Sequence, residues 1–192
     1  MANRHRQEST MQDPQAPATR PAVASELDDE TLAFVRKVFH YARTGEAGEL
    51  TTLLGQGLPS NLRNERGDSL LMLACYHSHA DAARALLERG ADPEIMNDAG
   101  QTPLAGAAFK GDLAIATLLL DNGAQVDNAG PNGKTALMFA AMFNRVDMAQ
   151  LLLARGADPF RLDADGNSIV DAARRMGATD TVEFLTAVTN ER

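Results

Sequence analysis

Glycine recurs in this chain at a fixed interval of 33 residues, and no other feature constrains its fold as tightly. Gly57, Gly90, Gly123 and Gly156 form one series, and Gly67, Gly100, Gly133 and Gly166 form a second. A glycine that returns once per unit marks a backbone site needing positive φ in every copy. Two more columns keep the same step: Leu53, Leu86, Leu119, Leu152 and Leu185, and Ala74, Ala107, Ala140 and Ala173. Four columns on one period define a tandem array whose units bury their apolar faces only against one another.

Within a unit the order is turn, helix, short turn, helix, glycine. In the third unit Thr102 and Pro103 open a helix that reaches Phe109, with proline in the first turn where its missing N–H costs nothing. Gly111 ends that helix. The second helix carries Leu113, Ala116, Leu119 and Leu120 on one face, and Gly123 supplies its left-handed cap. Residues 97–101 form a protruding turn. The alanine column lets first helices of adjacent units approach closely, while the leucine column fills the layer between units.

The run from Asp98 to Leu104, then Ala107, Ala108, Gly111, Leu118 to Leu120, Gly123 and Ala124, resembles the ankyrin repeat family. Gly90, Ala91 and Asp92, and again Gly156, Ala157 and Asp158, match its closing triplet. The resemblance covers about residues 30–188. It implies an all-α ankyrin-repeat solenoid of about five helix-turn-helix units with short protruding β-turn fingers. The repeat domain would occupy residues 25–190, with an N-terminal cap over about 26–64, units at 65–97, 98–130 and 131–163, and a C-terminal cap at 164–190. The chain departs from the family where a histidine follows Thr-Pro-Leu: Met72, Ala105, Met138 and Asp171 stand there. Only the third unit keeps Thr-Pro, the hydroxyl surviving as Ser69, Thr135 and Ser168. Packing is therefore expected to carry more of the stability than polar bonding between turns.

The ends differ from the interior. Ser25 followed by Asp28 reads as a capping box, and Asp28, Asp29 and Glu30 put negative charge at a helix N-terminus. A first helix is predicted from there through Leu32, Val35, Val38, Phe39 and Ala42 to Gly45, longer than an internal first helix. Arg174 and Arg175 mark the other cap, whose last helix is expected to end near Val188. Residues 1–24 carry three prolines and a formal charge of +1 (Arg4, Arg6 and Arg20 against Glu8 and Asp13), without an apolar signal region. This composition predicts a disordered tail.

Eighteen Lys and Arg against 26 Asp and Glu give a formal charge of −8, which disfavours nucleic acid and anionic membrane surfaces. The apolar stretch from Leu113 to Leu120 is bounded by Asp112 and Asp121, far short of the roughly 18 residues of a membrane span. The single cysteine, Cys75, can form no internal disulfide, so a reducing, cytoplasmic location is expected.

Catalytic signatures are missing: there is no Walker-type phosphate loop and no Gly-x-Ser-x-Gly. Asp68, Asp98, Asp163 and Asp165 read as solvated charge spread along the turns rather than as paired acids. His40, between Phe39 and Tyr41, reads as a partly buried packing residue. Cys75, His77 and His79 form a Cys-x-His-x-His run that offers an alternative, a metal-binding or redox accessory protein. Against it, Cys75 shares the small column of Ala108 and Ala141, and no fourth ligand is evident.

The register instead singles out the last exposed sites of the first helices. Tyr76, Phe109 and Met142 share one column, His77, Lys110 and Phe143 the next, and Arg175 lies at the margin. By the resemblance these sites face a concave groove, and stacked aromatics there make an interaction patch. Asp68, Asp98 and Asp165, beside Glu65, would steer a partner with a basic surface. The expected function is non-catalytic binding of a protein partner through the groove and turn tips, by a monomer without a cofactor, as an inhibitor, immunity-type or adaptor protein. Proteins similar to this one in size and repeat include kinase inhibitors and small bacterial proteins that neutralise toxins or accompany enzymes such as catalases. A third reading makes it an accessory domain that works only when its tail is bound.

Overall fold

Five helix pairs follow one another along the chain in a computed structural model that describes residues 28–190. The predicted tail, residues 1–24, and the proposed cap residue Ser25 lie outside the described residues. The pairs are α1 (Asp29–Thr44) with α2 (Ala47–Gly55), α3 (Leu70–Tyr76) with α4 (Ala80–Glu88), α5 (Pro103–Lys110) with α6 (Leu113–Asp121), α7 (Ala136–Met142) with α8 (Val146–Ala154), and α9 (Ile169–Arg175) with α10 (Thr179–Asn190). The first helices pack α1 to α3 to α5 to α7 to α9, and the second helices stack as a parallel row behind them. Among the described residues there are no strands, only an isolated bridge between Arg63 and Ser69. The all-α solenoid is therefore as expected.

Helices of seven to nine residues are too short to persist alone in water. Caps and stacking hold them. Ser69, Thr102, Thr135 and Ser168 accept hydrogen bonds from the N–H groups of Met72, Ala105, Met138 and Asp171 at 3.0–3.3 Å. The hydroxyl column is thus the N-cap of every first helix after α1. Asp171 also accepts from the Ser168 N–H, closing a capping box. For α1 the cap residue is Asp28, which accepts from the Thr31 N–H at 2.7 Å, so the helix begins at Asp29. At the other end α10 runs to Asn190, two residues past the expected stop.

Ala74, Ala107, Ala140 and Ala173 are all fully buried, as are Leu86, Leu119, Leu152 and Leu185. Leu53 is only half-buried because no described unit precedes its own. Both glycine columns have positive φ, 79–99° in the first and 70–79° in the second. Gly67 is also held by space: a β-carbon there would collide with an Asp98 carboxylate oxygen on the next finger. A third left-handed column went unread in the sequence. Gly45, Ser78, Gly111, Asn144 and Gly177, again 33 apart, all have φ between 56° and 79°.

Polar bonding between units is present after all, at other positions than the missing histidines. Asn61 accepts from the Asp92 N–H, Glu94 from the Gln125 N–H and Asp127 from the Asp158 N–H, each 31 residues on. A second series joins Arg43 to His79, Phe109 to Arg145 and Asn144 to Asp180, each 36 residues on. Packing does not act alone.

Candidate interaction surface

The ends of α3, α5 and α7 bring three rings into a ladder. Tyr76 and Phe109 stack with centroids 6.1 Å apart and planes 10° from parallel. Phe109 meets Phe143 edge-on at 4.4 Å. His77 sets its edge against Tyr76 at 5.5 Å, and the Lys110 ammonium lies 4.6 Å from the Tyr76 ring centroid. That cation–π contact fixes a flexible cation beside the ladder. Tyr76 and Phe109 come together because they are 33 apart and lie at the ends of successive first helices, while Phe143 reaches Phe109 from the next column, one residue beyond Met142.

The predicted residues do not all join in the same way. Tyr76 is 40% exposed, Phe109 half-buried, and His77 and Lys110 exposed. Phe143 packs partly into the core, so it serves the fold as well as the surface. Met142 is half-buried and Arg175 exposed, and neither enters the ring contacts. Met176, one column over, is 50% exposed and extends the apolar edge; its register with Phe143 was the signal that could have found it.

Facing the ladder, the fingers are built on Asx turns. Asn64 Oδ1 accepts from the N–H groups of Arg66 and Asp68, and Asn97 Oδ1 from those of Ala99 and Gln101. Asp163 does the same for Asp165 and Asn167 and also takes the Asn167 side-chain amide. These bonds, the Asn167 side chain first, hold its carboxyl below the ordinary carboxylate value. Reading Asp163 as solvated charge was therefore wrong: it is 7% exposed and builds a finger. Asp68 accepts from the amides of Asn64 and Asn97 at 3.1 and 3.0 Å, and Asp98 pairs with Arg63 at 3.3 Å. Of the three predicted steering acids, only Asp165 has an exposed carboxylate outside such bonds.

The alternative site comes apart. Cys75 is fully buried, and that burial pushes its thiol pKa far up. The His79 ring bonds the Arg43 carbonyl through Nε2 at 2.8 Å, which occupies one of its nitrogens. Among the described residues no three His, Cys, Asp or Glu side chains gather as a metal set. His40 is exposed rather than partly buried.

Between the ladder and the first two fingers lies an open groove of about 1260 Å³, larger than an ordinary small-molecule cleft. Its far wall is α1, through Leu32, Val35, Arg36, Phe39 and Arg43. Sequence reasoning used α1 only as a cap and missed its arginines. The signal was present in the spacing of 32, 35, 36, 39 and 43, which is one helical stripe.

A family model described as ankyrin repeats (3 copies) matches residues 39–130 and 106–191, most of the chain. The chain belongs to the ankyrin repeat family. A curated ankyrin repeat protein of Pseudomonas aeruginosa is 61% identical over 59 residues, 31% of this chain and 34% of that protein. The matched stretch thus spans about a third of that relative's length. Ankyrin repeats are in general protein–protein interaction modules. No helix among the described residues of this ankyrin protein is long and apolar enough to cross a membrane.

Proposed function

We propose that this ankyrin protein is a non-catalytic module that holds a protein partner in its concave groove, acting as an inhibitor, immunity-type or adaptor protein. The observation that carries this reading is the ring ladder of Tyr76, Phe109 and Phe143, which spans three units on the face beside the groove. A row of aromatics on a stacked scaffold needs little ordering on binding, and such anchors dominate interface energies. The half-buried Phe109 and the 40% exposed Tyr76 contribute less to the fold than the fully buried columns do.

The test is affinity purification of partners from the native cell with the full chain, followed by titration of the purified partner against Phe109→Ala. Loss of about 2 kcal/mol or more in binding at a hot spot, with little change in melting temperature, is the expected result. Binding as tight as the parent's would move the interface to the convex face or the finger tips.

A further inference from the structure

The chain carries a formal charge of −8, yet the walls of its groove do not share that sign. Arg36, Arg43, Arg63 and Arg66 line it, against Glu65, Asp68 and Asp98. Two of those carboxylates are already engaged, Asp98 by Arg63 and Asp68 by the amides of Asn64 and Asn97. Arg36, Arg43 and Arg66 are exposed and form no ion pair among the described residues. With Asp98 matched by Arg63, three unpaired guanidinium groups face the two carboxylates of Glu65 and Asp68, which leaves the groove with a net positive formal charge on an acidic protein.

The placement is as informative as the charge. Arg36 and Arg43 are two helical turns apart on α1, about 10 Å along its axis at 1.5 Å per residue. A peptide in the polyproline II conformation advances about 3.1 Å per residue with three residues per turn, so carboxylates three positions apart lie on one face at roughly that spacing. No acid of α1 lines the groove, since Asp29 and Glu30 lie outside it. On the groove's floor Gly106 stands where the same column holds Leu73 and Phe139 in adjacent units, and the side chains of Met72 and Tyr76 close over it beside Phe109. His77, also on the groove, has its pKa pushed down by partial desolvation first and then by His79, Lys110 and Arg43.

We propose that the N-terminal half of the groove binds an acidic peptide segment of the partner, carboxylates on Arg36, Arg43 and Arg66 and an apolar side chain against Tyr76 and Phe109. Guanidinium groups grip carboxylates through paired, charge-assisted hydrogen bonds, which suits such a segment better than a basic one. This rests on the concave face being the binding surface and adds the chemistry of what it binds. It also replaces the basic partner surface expected from the finger acids, of which Asp98 is ion-paired with Arg63 and Asp68 is held by the amides of Asn64 and Asn97.

A random twelve-residue peptide library displayed on phage and panned on the full chain tests it, with enriched peptides then synthesised and titrated. The expected result is enrichment of peptides with two or more Asp or Glu and one apolar or aromatic residue. Their affinity should fall at least tenfold in the pair Arg36→Glu and Arg43→Glu, fall as well in Phe109→Ala, weaken with added salt, and stay within twofold in Arg84→Glu on α4. These arginines are exposed, so their reversal leaves the core untouched, and circular dichroism checks it. Neutral or basic peptides that still depend on Phe109 would overturn the acidic chemistry and leave the groove reading standing. Acidic peptides that need Phe109 but ignore the arginine reversal would do the same. Peptides indifferent to both changes would sink both readings. An empty selection, or binding of a labelled single-stranded oligonucleotide abolished by the same reversal, would overturn the proposal.

Discussion

Asn144 and Asp180 exchange two hydrogen bonds across a unit boundary: Asn144 Nδ2 donates to Asp180 Oδ2 at 2.8 Å, and the Asp180 backbone N–H donates to Asn144 Oδ1 at 3.1 Å. The same oxygen accepts from the Thr181 N–H at 3.0 Å. The first turn of α10 is thereby capped by the unit before it. Asn144→Ala removes that cap and leaves a β-branch-free but still strained residue at φ 56°, so a loss of about 1–2 kcal/mol is expected. Urea denaturation measures it, and an unchanged midpoint would mean that water serves those N–H groups equally well.

Ser78 stands in the left-handed column at φ 61°, where three of its four counterparts along the stack are glycine. Ser78→Gly should relieve a strain that outweighs the added freedom of the unfolded chain, for a gain of about 1 kcal/mol. Thermal melting reads the gain directly. A lower melting temperature would show that the serine side chain supports its turn.

Asp163 gives a pH dependence whose sign is fixed by its hydrogen bonds. Its folded pKa lies below the ordinary aspartate value of 3.8, so its contribution is present above that value and lost as pH falls through the folded pKa. Asparagine builds the same turn at positions 64 and 97, so Asp163→Asn should keep the finger at neutral pH. The difference in stability between parent and variant should then change in acid, with the parent losing ground. Parallel curves from pH 7 to below pH 3.8 would remove Asp163 from the acid limb.

One leucine column contains its own control. Leu119 is fully buried and Leu53 half-buried, though both occupy the same place in their units. Leu119→Ala should cost about 2–5 kcal/mol and Leu53→Ala clearly less. Equal losses by denaturant titration would contradict the difference in packing at the solenoid's first unit.

What could be read in advance followed from what repeats. The period, both glycine columns, the cap hydroxyls and the alanine and leucine layers come from positions held to one residue type by one requirement, and single-residue spacing exposes them. The third left-handed column escaped because serine and asparagine fill two of its five places, and asparagine tolerates that conformation while also capping α10. Asp163 was misread because the turn accepts either Asn or Asp, so its role is visible only beside Asn64 and Asn97. Arg36 and Arg43 were missed for the opposite reason. They belong to α1, which has 16 residues against seven or eight in the other first helices, so the shorter repeats offer no template for its full face.

The groove's far wall is the first unit among the described residues, and this couples recognition to local opening. Terminal units of a solenoid have one neighbour instead of two and open first. A partner touching Arg36 and Arg43 would add a neighbour to α1, which among the described first helices packs on α3 alone, and any ligand that binds only the closed form shifts the opening equilibrium by mass action. Bound partner would act as a splint on the first unit, slowing amide exchange in α1 more than in α7 or α9.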